Sequence, residues 1–208
     1  MHRKHPLVSS LLASAVLLCS GHALAGTDLS VSGRIQPGAC SLALGNGGTV
    51  DLGTISRKDL REDSVSFLKT QRISLGIQCQ APTTVAFRAL DNRAGTPIYG
   101  NAFGLSASGG KNVGGYYLVP VDRIGDGNPL VHLVGKGGAG GWEVVGGTAW
   151  LSPTWLSSWA ERGQSLPQAF QNISSTLEVV IMIAPTKDLD LSQQVSIDGS
   201  ATMELIYL

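Results

Sequence analysis

The chain has 208 residues and equal numbers of basic and acidic side chains, 15 of each, so its formal net charge is zero. Charged residues make up 14% of the sequence and hydrophobic residues 43%, which is enough apolar material for a buried core. This balance excludes a strongly basic surface for nucleic acid or for an anionic membrane.

The first 25 residues have the pattern of a secretory signal peptide. Arg3 and Lys4 precede a mostly apolar run over residues 7–18, and Ala23-Leu24-Ala25 is a typical cleavage site. The apolar run is too short to span a membrane. We predict export with loss of residues 1–25, leaving one domain over residues 26–208; the alternative is an anchoring helix.

Two cysteines remain beyond the predicted signal, Cys40 and Cys79. An exported chain with two cysteines is typical of one disulfide, and we predict that these two residues are bonded. Closing a loop of about 40 residues stabilises a fold by about 4 kcal/mol in the chain-entropy model. The alternative is a pair of free thiols.

Alternation of apolar and polar residues predicts strands along most of the chain. The clearest is Arg72–Cys79, in which Ile73, Leu75 and Ile77 share one face with Cys79. The other predicted strands are 28–35, 50–55, 83–90, 116–121, 130–134, 177–183 and 201–208. Strands at this spacing, separated by turn residues, predict an all-β sandwich or barrel. The glycine-dense stretch 135–147 favours loops or edge hairpins.

The last eight residues alternate to the end of the sequence. Ala201, Met203, Leu205 and Tyr207 share one face, and Leu208 follows. Chain termini fray unless a sheet holds them. We therefore predict that Tyr207 and Leu208 pair with a strand edge, in this molecule or in a partner.

Four tryptophans lie in the middle of the chain, at Trp142, Trp150, Trp155 and Trp159. Exposed aromatic rings stack on sugars, so these four residues are candidate carbohydrate ligands. The alternative is a small core, because tryptophan buries a large apolar area.

A short helix is predicted after Ser152. Ser152 is suited to the N-cap position and Pro153 to the first turn. Trp155 and Trp159 are four residues apart, so both would face inward from this helix.

Patterns for catalysis or metal binding are weak. His132 is the one histidine beyond the predicted signal, and no spacing identifies serine or acid partners for it. Structural zinc usually needs four Cys or His ligands. Asp188 and Asp190 fit a solvated strand edge better than a calcium site. We predict no catalytic residue, no metal and no cofactor.

Several of these features occur together in a known family. The signal peptide, the two cysteines and the C-terminal alternating strand with penultimate Tyr207 resemble the pilin subunits of the chaperone–usher pathway. Val31–Ile35 resembles their first strand, and Val50–Ile55 resembles their hydrophobic-x-Leu-Gly-x-hydrophobic pattern. Within that superfamily the chain is most similar to the fimbrial-like proteins of the domain-of-unknown-function-1120 (DUF1120) type. The resemblance covers residues 29–90 and 176–208, and residues 100–170 look like a Gly- and Trp-rich expansion.

The resemblance implies an immunoglobulin-like β-sandwich that lacks its final strand. A periplasmic chaperone would fill the resulting groove first, and the next pilin subunit would replace it at an outer-membrane usher. The residues at this edge would be Ala201, Met203, Leu205, Tyr207 and Leu208. The protein is then expected in the periplasm in transit and in a fimbria at the cell surface, as a structural subunit without catalysis, nucleic acid or membrane insertion.

Two departures from the pilin pattern affect this expectation. Pilins often carry a glycine about fourteen residues from the end, where this chain has Val195, and Gly199 is the nearest glycine. The predicted cleavage leaves only residues 26–28 before the first strand, so the subunit is expected to accept a donor strand but to donate one poorly. The competing functions are an adhesin or carbohydrate-binding module using segment 142–159, and an exported enzyme such as a glycosidase.

Overall fold

The computed structural model describes residues 39–136, 141–146 and 149–208, all within one compact unit, Gln36–Leu208. These residues form twelve strands and three short 3₁₀ turns, with no α-helix in the described ranges. The predicted signal peptide and the predicted strand 28–35 lie outside the described residues. The strands are β1 (Cys40–Leu44), β2 (Ser66–Phe67), β3 (Gln71–Asp91), β4 (Phe103–Gly104), β5 (Ala107–Ser108), β6 (Lys111–Asn112), β7 (Gly114–Gly125), β8 (Asn128–Gly135), β9 (Trp142–Val145), β10 (Leu156–Glu161), β11 (Ala169–Ile183) and β12 (Ala201–Tyr207).

Five strands close into a barrel. Antiparallel pairing runs from β3 to β10, β8, β7 and β11, and β11 pairs again with β3. The other strands extend this ring: β1 and β12 pair with β3, β2 with β11, β4 with β7, and β9 with β8, while β5 and β6 form a separate hairpin. The predicted all-β fold is confirmed. The closed ring with added strands is not clearly the immunoglobulin-like sandwich that the resemblance implied.

Strand β3 joins the two layers of the fold, one formed with β1, β11 and β7 and the other with β12, β10 and β8. A straight strand of this length would span roughly 70 Å, so it must bend within one small domain. Residues 71–79 pair with β1 and β11, and residues 85–91 pair with β12. Pro82 lies between these two stretches, where its missing N–H removes no ladder bond that the sheet needs.

The core lies between the inner faces of these strands. Leu75, Ile77 and Cys79 are buried on the first half of β3, as the alternation predicted. On the second half, Phe87 stacks on Trp159 of β10 with the ring centroids 4.8 Å apart. The middle region 100–170 supplies β7, β8 and β10, so three of the five barrel strands come from it.

The predicted helix after Ser152 is wrong. A turn covers Pro153–Trp155, with the Thr154 N–H donating to Ser152 Oγ, and β10 follows. Strands β3 and β8 flank β10 on its two sides and supply its backbone partners, so tertiary pairing overrides the local helix signal. Trp159 does face the core, but from a strand. Trp155 is half-buried, with Lys136 Nζ 5.4 Å from its ring centroid.

The predicted strand over Val50–Ile55 is also wrong. This segment is extended but belongs to no ladder. The Gly53 N–H donates to Asp51 Oδ1, and Gly53 has a positive φ of 60°. Such a side-chain turn competes with strand pairing and interrupts the alternation that predicted it.

The remaining predicted strands are present in the fold. Residues 83–90 lie in β3, 116–121 in β7, 130–134 in β8 and 177–183 in β11, and the last predicted strand is β12. The glycine-dense stretch contains β9. This edge strand pairs antiparallel with β8.

The predicted disulfide between Cys40 and Cys79 is confirmed. The two residues lie directly opposite each other in the ladder of β1 and β3, and their sulfurs are bonded. The bond ties the edge strand β1 to the strand on which both layers depend.

Mass spectrometry of the oxidised protein should show one peptide pair linked through Cys40 and Cys79. The double variant Cys40→Ser/Cys79→Ser should lose about 2–4 kcal/mol of unfolding free energy in urea, because the bond restricts the unfolded chain. Reduced wild-type protein is the matched control. Two alkylatable thiols in folded, unreduced protein would contradict the assignment.

Candidate functional site

An open cleft of about 810 Å³ lies along the inner faces of β7 and β11. Its floor is apolar and belongs to the hydrophobic core. Neighbouring strands contribute opposed pairs to it, because Leu118 pairs with Val179 and Tyr116 with Ile181. Ile73, Leu177 and Ile183 extend the floor at either side of these pairs. The side chains of the floor therefore occur at every second residue along each strand, because alternate side chains of a strand face the same way.

Much of the two walls of the cleft consists of extended segments without ladder partners, and the start of β12, which pairs with β3, completes one of them. Residues 48–55 form one wall, and residues 193–201 with Met203 form much of the other. Within the described part of the chain, the backbone N–H groups of residues 193–199 donate no hydrogen bond. A further strand laid between these walls would find free backbone groups beside it and apolar side chains beneath it.

A contact between two edge strands lies beyond the residues that line the cleft. The Cys40 N–H of β1 donates to Tyr207 Oη of β12 at 2.9 Å. Along the cleft the floor side chains are largely covered, since Leu177 is 0% and Tyr116 is 7% exposed. The disulfide on the same cysteine fixes the position of β1 against β3.

The structure divides the predicted edge residues. Ala201 and Met203 line the cleft, whereas Leu205 packs against the core beyond it. Tyr207 and Leu208 are about half exposed and are held by β3, since the Leu208 N–H donates to the Thr84 carbonyl. The cleft thus uses the beginning of β12, where the sequence pattern pointed to its end.

Gly199 allows one wall to approach the floor closely. A Cβ at this position would lie 2.7 Å from Leu105 Cδ2 and 2.9 Å from Tyr116 Cε1. Val195, which occupies the position where pilins often carry glycine, lines the cleft in the same wall. The sequence singled out both residues only by their distance from the end.

The floor of the cleft carries no charge at neutral pH. Tyr116 is the one ionisable side chain among the floor residues named above, and burial raises the pKa of its hydroxyl well above the ordinary range. Charged groups lie at the rim, where Arg93 Nε donates to Asp198 Oδ2 at 3.1 Å. This arrangement can hold apolar side chains, and it offers no acid–base pair for chemistry.

A second arrangement with chemical interest lies in the core. His132 Nε2 is 3.0 Å from Ser157 Oγ, a distance suited to a base and a nucleophile. Both residues are buried, and neither lines the cleft, so a substrate has no path to them. His132 Nδ1 has no hydrogen-bond partner in the described residues. Burial, with a smaller effect from Arg123, lowers the pKa of His132 to about 4.

The four tryptophans do not form one site. Trp159 is buried in the core, and Trp142 and Trp155 are half-buried near β8. Trp150 is 45% exposed and lies beside Tyr117 of β7.

Metal and membrane features are absent from the described ranges. Asp188 ends a 3₁₀ turn, and Asp190 Oδ1 accepts hydrogen bonds from Ser192. No three His, Cys, Asp or Glu side chains in these ranges are grouped to hold a metal ion. The same ranges contain no helix with the length and apolarity needed to cross a membrane.

The fold and the cleft define an all-β barrel with added edge strands and an open apolar groove. A family model described as "protein of unknown function (DUF1120)" matches residues 29–116, which include the cysteine pair and the strands from β1 to the beginning of β7.

Two proteins of Escherichia coli strain K12 are similar over nearly the whole chain. Protein GltF is 24% identical, with all of both chains covered. The uncharacterized protein YhcF is 25% identical, with 95% of this chain and 97% of its own length covered. The similarity therefore extends beyond the segment that the family model matches.

The buried histidine should make stability depend on pH. Folded His132 has a pKa of about 4, below the value of 6.5 expected when unfolded, so the unfolded state binds the proton more readily. The contribution of neutral His132 to the free energy of unfolding is complete above pH 6.5. It falls by about 3 kcal/mol as the pH decreases to 4.

Urea unfolding of wild type and His132→Gln between pH 7 and pH 4 measures this effect. The variant should be less stable at pH 7, and the difference should shrink towards pH 4. Comparing the two proteins cancels the carboxylates that titrate in both. A difference that stays constant over this range would show that His132 keeps an ordinary pKa.

Proposed function

We propose that this chain is a structural subunit of a surface fimbria, assembled by donor-strand complementation through a periplasmic chaperone and an outer-membrane usher. The observation that supports it most is the cleft, with its apolar floor and the extended, largely unpaired segments in its walls. On this proposal, the barrel with its added strands is a pilin-type, immunoglobulin-like fold that lacks one strand.

The geometry of the floor favours an extended peptide as the occupant. The side chains of a strand that face one way recur at every second residue, matching the spacing of the opposed pairs on β7 and β11. Backbone hydrogen bonds to the walls would supply affinity, and the alternate side chains would set the register. Five buried Val- or Leu-sized side chains would contribute about 8–15 kcal/mol gross, comparable to the stability of a typical domain.

The compartment implied by the sequence agrees with this role. A signal peptide directs export, and the bond between Cys40 and Cys79 suits the oxidising periplasm. The partners would be the chaperone, the usher and other pilin subunits. The role requires no catalysis and no cofactor.

An adhesin or carbohydrate-binding module is the second candidate function. The exposed indole of Trp150 favours this function, since exposed aromatic rings stack on sugars. The other tryptophans of segment 142–159 are buried or half-buried.

Substitution in the cleft wall tests the proposed function. Met203→Asp places a charge against the apolar floor and should reduce capture by the cognate chaperone at least tenfold in a periplasmic pull-down. Thr202→Asp, on the opposite face of the same strand, is the matched control and should change capture less than twofold. Equal capture of both variants would contradict the use of the cleft.

A peptide titration supplies the complementary measurement. A synthetic strand with alternating valines should raise the Tm of the purified protein, and a peptide of the same composition with clustered valines should not. A monomer that is already stable, and that gains nothing from either peptide, would show that the fold needs no donated strand.

A further inference from the structure

A second recess lies on the outer face of the sheet, behind the cleft floor. It has a volume of about 300 Å³ and is lined by Tyr117, Val119, Trp150, Glu178 and Val180. Strand register places these residues in two rows, with Val119 opposite Glu178 and Tyr117 opposite Val180. Arg72 of β3 continues the first row, because it pairs with Glu178 from the other side. We call these six residues the outer basin.

The aromatic wall of the outer basin is held in place by the backbone. The Leu151 N–H donates to the Leu118 carbonyl at 2.7 Å, and the Leu151 side chain is buried. This bond fixes the adjacent Trp150 against β7. The rings of Trp150 and Tyr117 are 5.2 Å apart and inclined at 40°, so they form an open angle above two valines. An exposed indole in a fixed position presents a flat apolar face to solvent.

The opposite side of the outer basin is polar. Arg72 Nε donates to Glu178 Oε1 at 2.9 Å, and the second guanidinium nitrogen donates to the same oxygen. In the described part of the chain, Glu178 Oε2 takes part in no hydrogen bond. The Arg72 side chain is 63% exposed. A ligand beside Trp150 would therefore meet a carboxylate oxygen that accepts and a guanidinium that donates.

We propose that the outer basin binds a single pyranose ring of a glycan. The apolar C–H face of a sugar would stack on the Trp150 indole and lie over Val119 and Val180. Two neighbouring hydroxyls would then reach Glu178 and Arg72, one donating to the carboxylate and one accepting from the guanidinium. A small volume with a few convergent polar groups suits one ring better than a larger ligand.

Other classes of ligand fit the outer basin less well. A peptide strand needs a free sheet edge, but β7 and β11 are paired with each other throughout the basin. A phosphate-bearing ligand would be repelled by the Glu178 carboxylate on the polar side, where the Arg72 guanidinium is already paired with that carboxylate. A wholly apolar ligand would leave the ion pair of Arg72 and Glu178 desolvated without new partners.

The outer basin is independent of the proposed assembly through the cleft. It shares no lining residue with the cleft and lies on the opposite face of β7 and β11. A fimbrial subunit could carry this site along a fibre, and a subunit that never polymerised could carry it as well.

The test uses the full-length exported protein, with saturation-transfer NMR against methyl β-D-galactopyranoside, methyl α-D-mannopyranoside and N-acetyl-D-glucosamine, and an array of oligosaccharides containing them. We expect at least one of these sugars to bind the protein. Trp150→Ala and Glu178→Gln should weaken its binding at least tenfold, and Trp150→Phe should retain part of it.

Trp142→Ala removes a half-buried tryptophan away from the basin, on the strand that pairs with β8, and is the matched control. It should leave binding within twofold of wild type. The near-ultraviolet circular dichroism of each variant reports on folding. Retention of no probe by the folded wild type overturns the proposal, and so does binding that Trp142→Ala weakens as much as Trp150→Ala.

Discussion

The hydrogen-bond ladder of β3 is the constraint on which the rest of the structure depends. Its first half pairs with β1 and β11, and its second half pairs with β12 and β10. Both layers of the fold are therefore aligned by one continuous segment of backbone. The disulfide at Cys79 lies three residues before Pro82 and holds the edge strand β1, which contacts β12 through the Cys40–Tyr207 hydrogen bond.

The cleft is a consequence of how this shared strand distributes its partners. β1 and β12 both attach to β3 but do not pair with each other, and they meet at the Cys40–Tyr207 hydrogen bond. Among the described residues, no strand other than β3 pairs with β1 or β12. The cleft on this side is floored by side chains that also belong to the hydrophobic core.

The sequence predicted many of the strands whose alternation is supported by pairing with a neighbouring strand. Arg72–Cys79 is the clearest case, and the cysteine pair followed from export and an even count. The prediction of a strand over Val50–Ile55 failed because the Asp51–Gly53 turn interrupts the extended backbone and no neighbouring strand pairs with it. The prediction of a helix after Ser152 failed for the opposite reason. Two neighbouring strands pair with residues whose local sequence favours a helix.

The functional surfaces were harder to predict than the strands. The alternation over residues 177–183 predicted a strand, but not that one of its faces would line a cleft. The outer basin joins Tyr117, Trp150 and Glu178, which are far apart in the sequence and meet only through the register of β7 and β11. No local pattern records that register, because it is decided by pairing over the whole sheet.

The alternation of side chains on β7 and β11 also has an evolutionary consequence. Leu118 and Val179 face the cleft, whereas their chain neighbours Val119 and Glu178 face the outer basin. Each mutation on these strands therefore changes the composition of one face only. Selection can diversify what the outer surface recognises while the inner surface is conserved. An insertion of one residue is the exception, because it exchanges the two faces of the strand and would disrupt both surfaces in a single step.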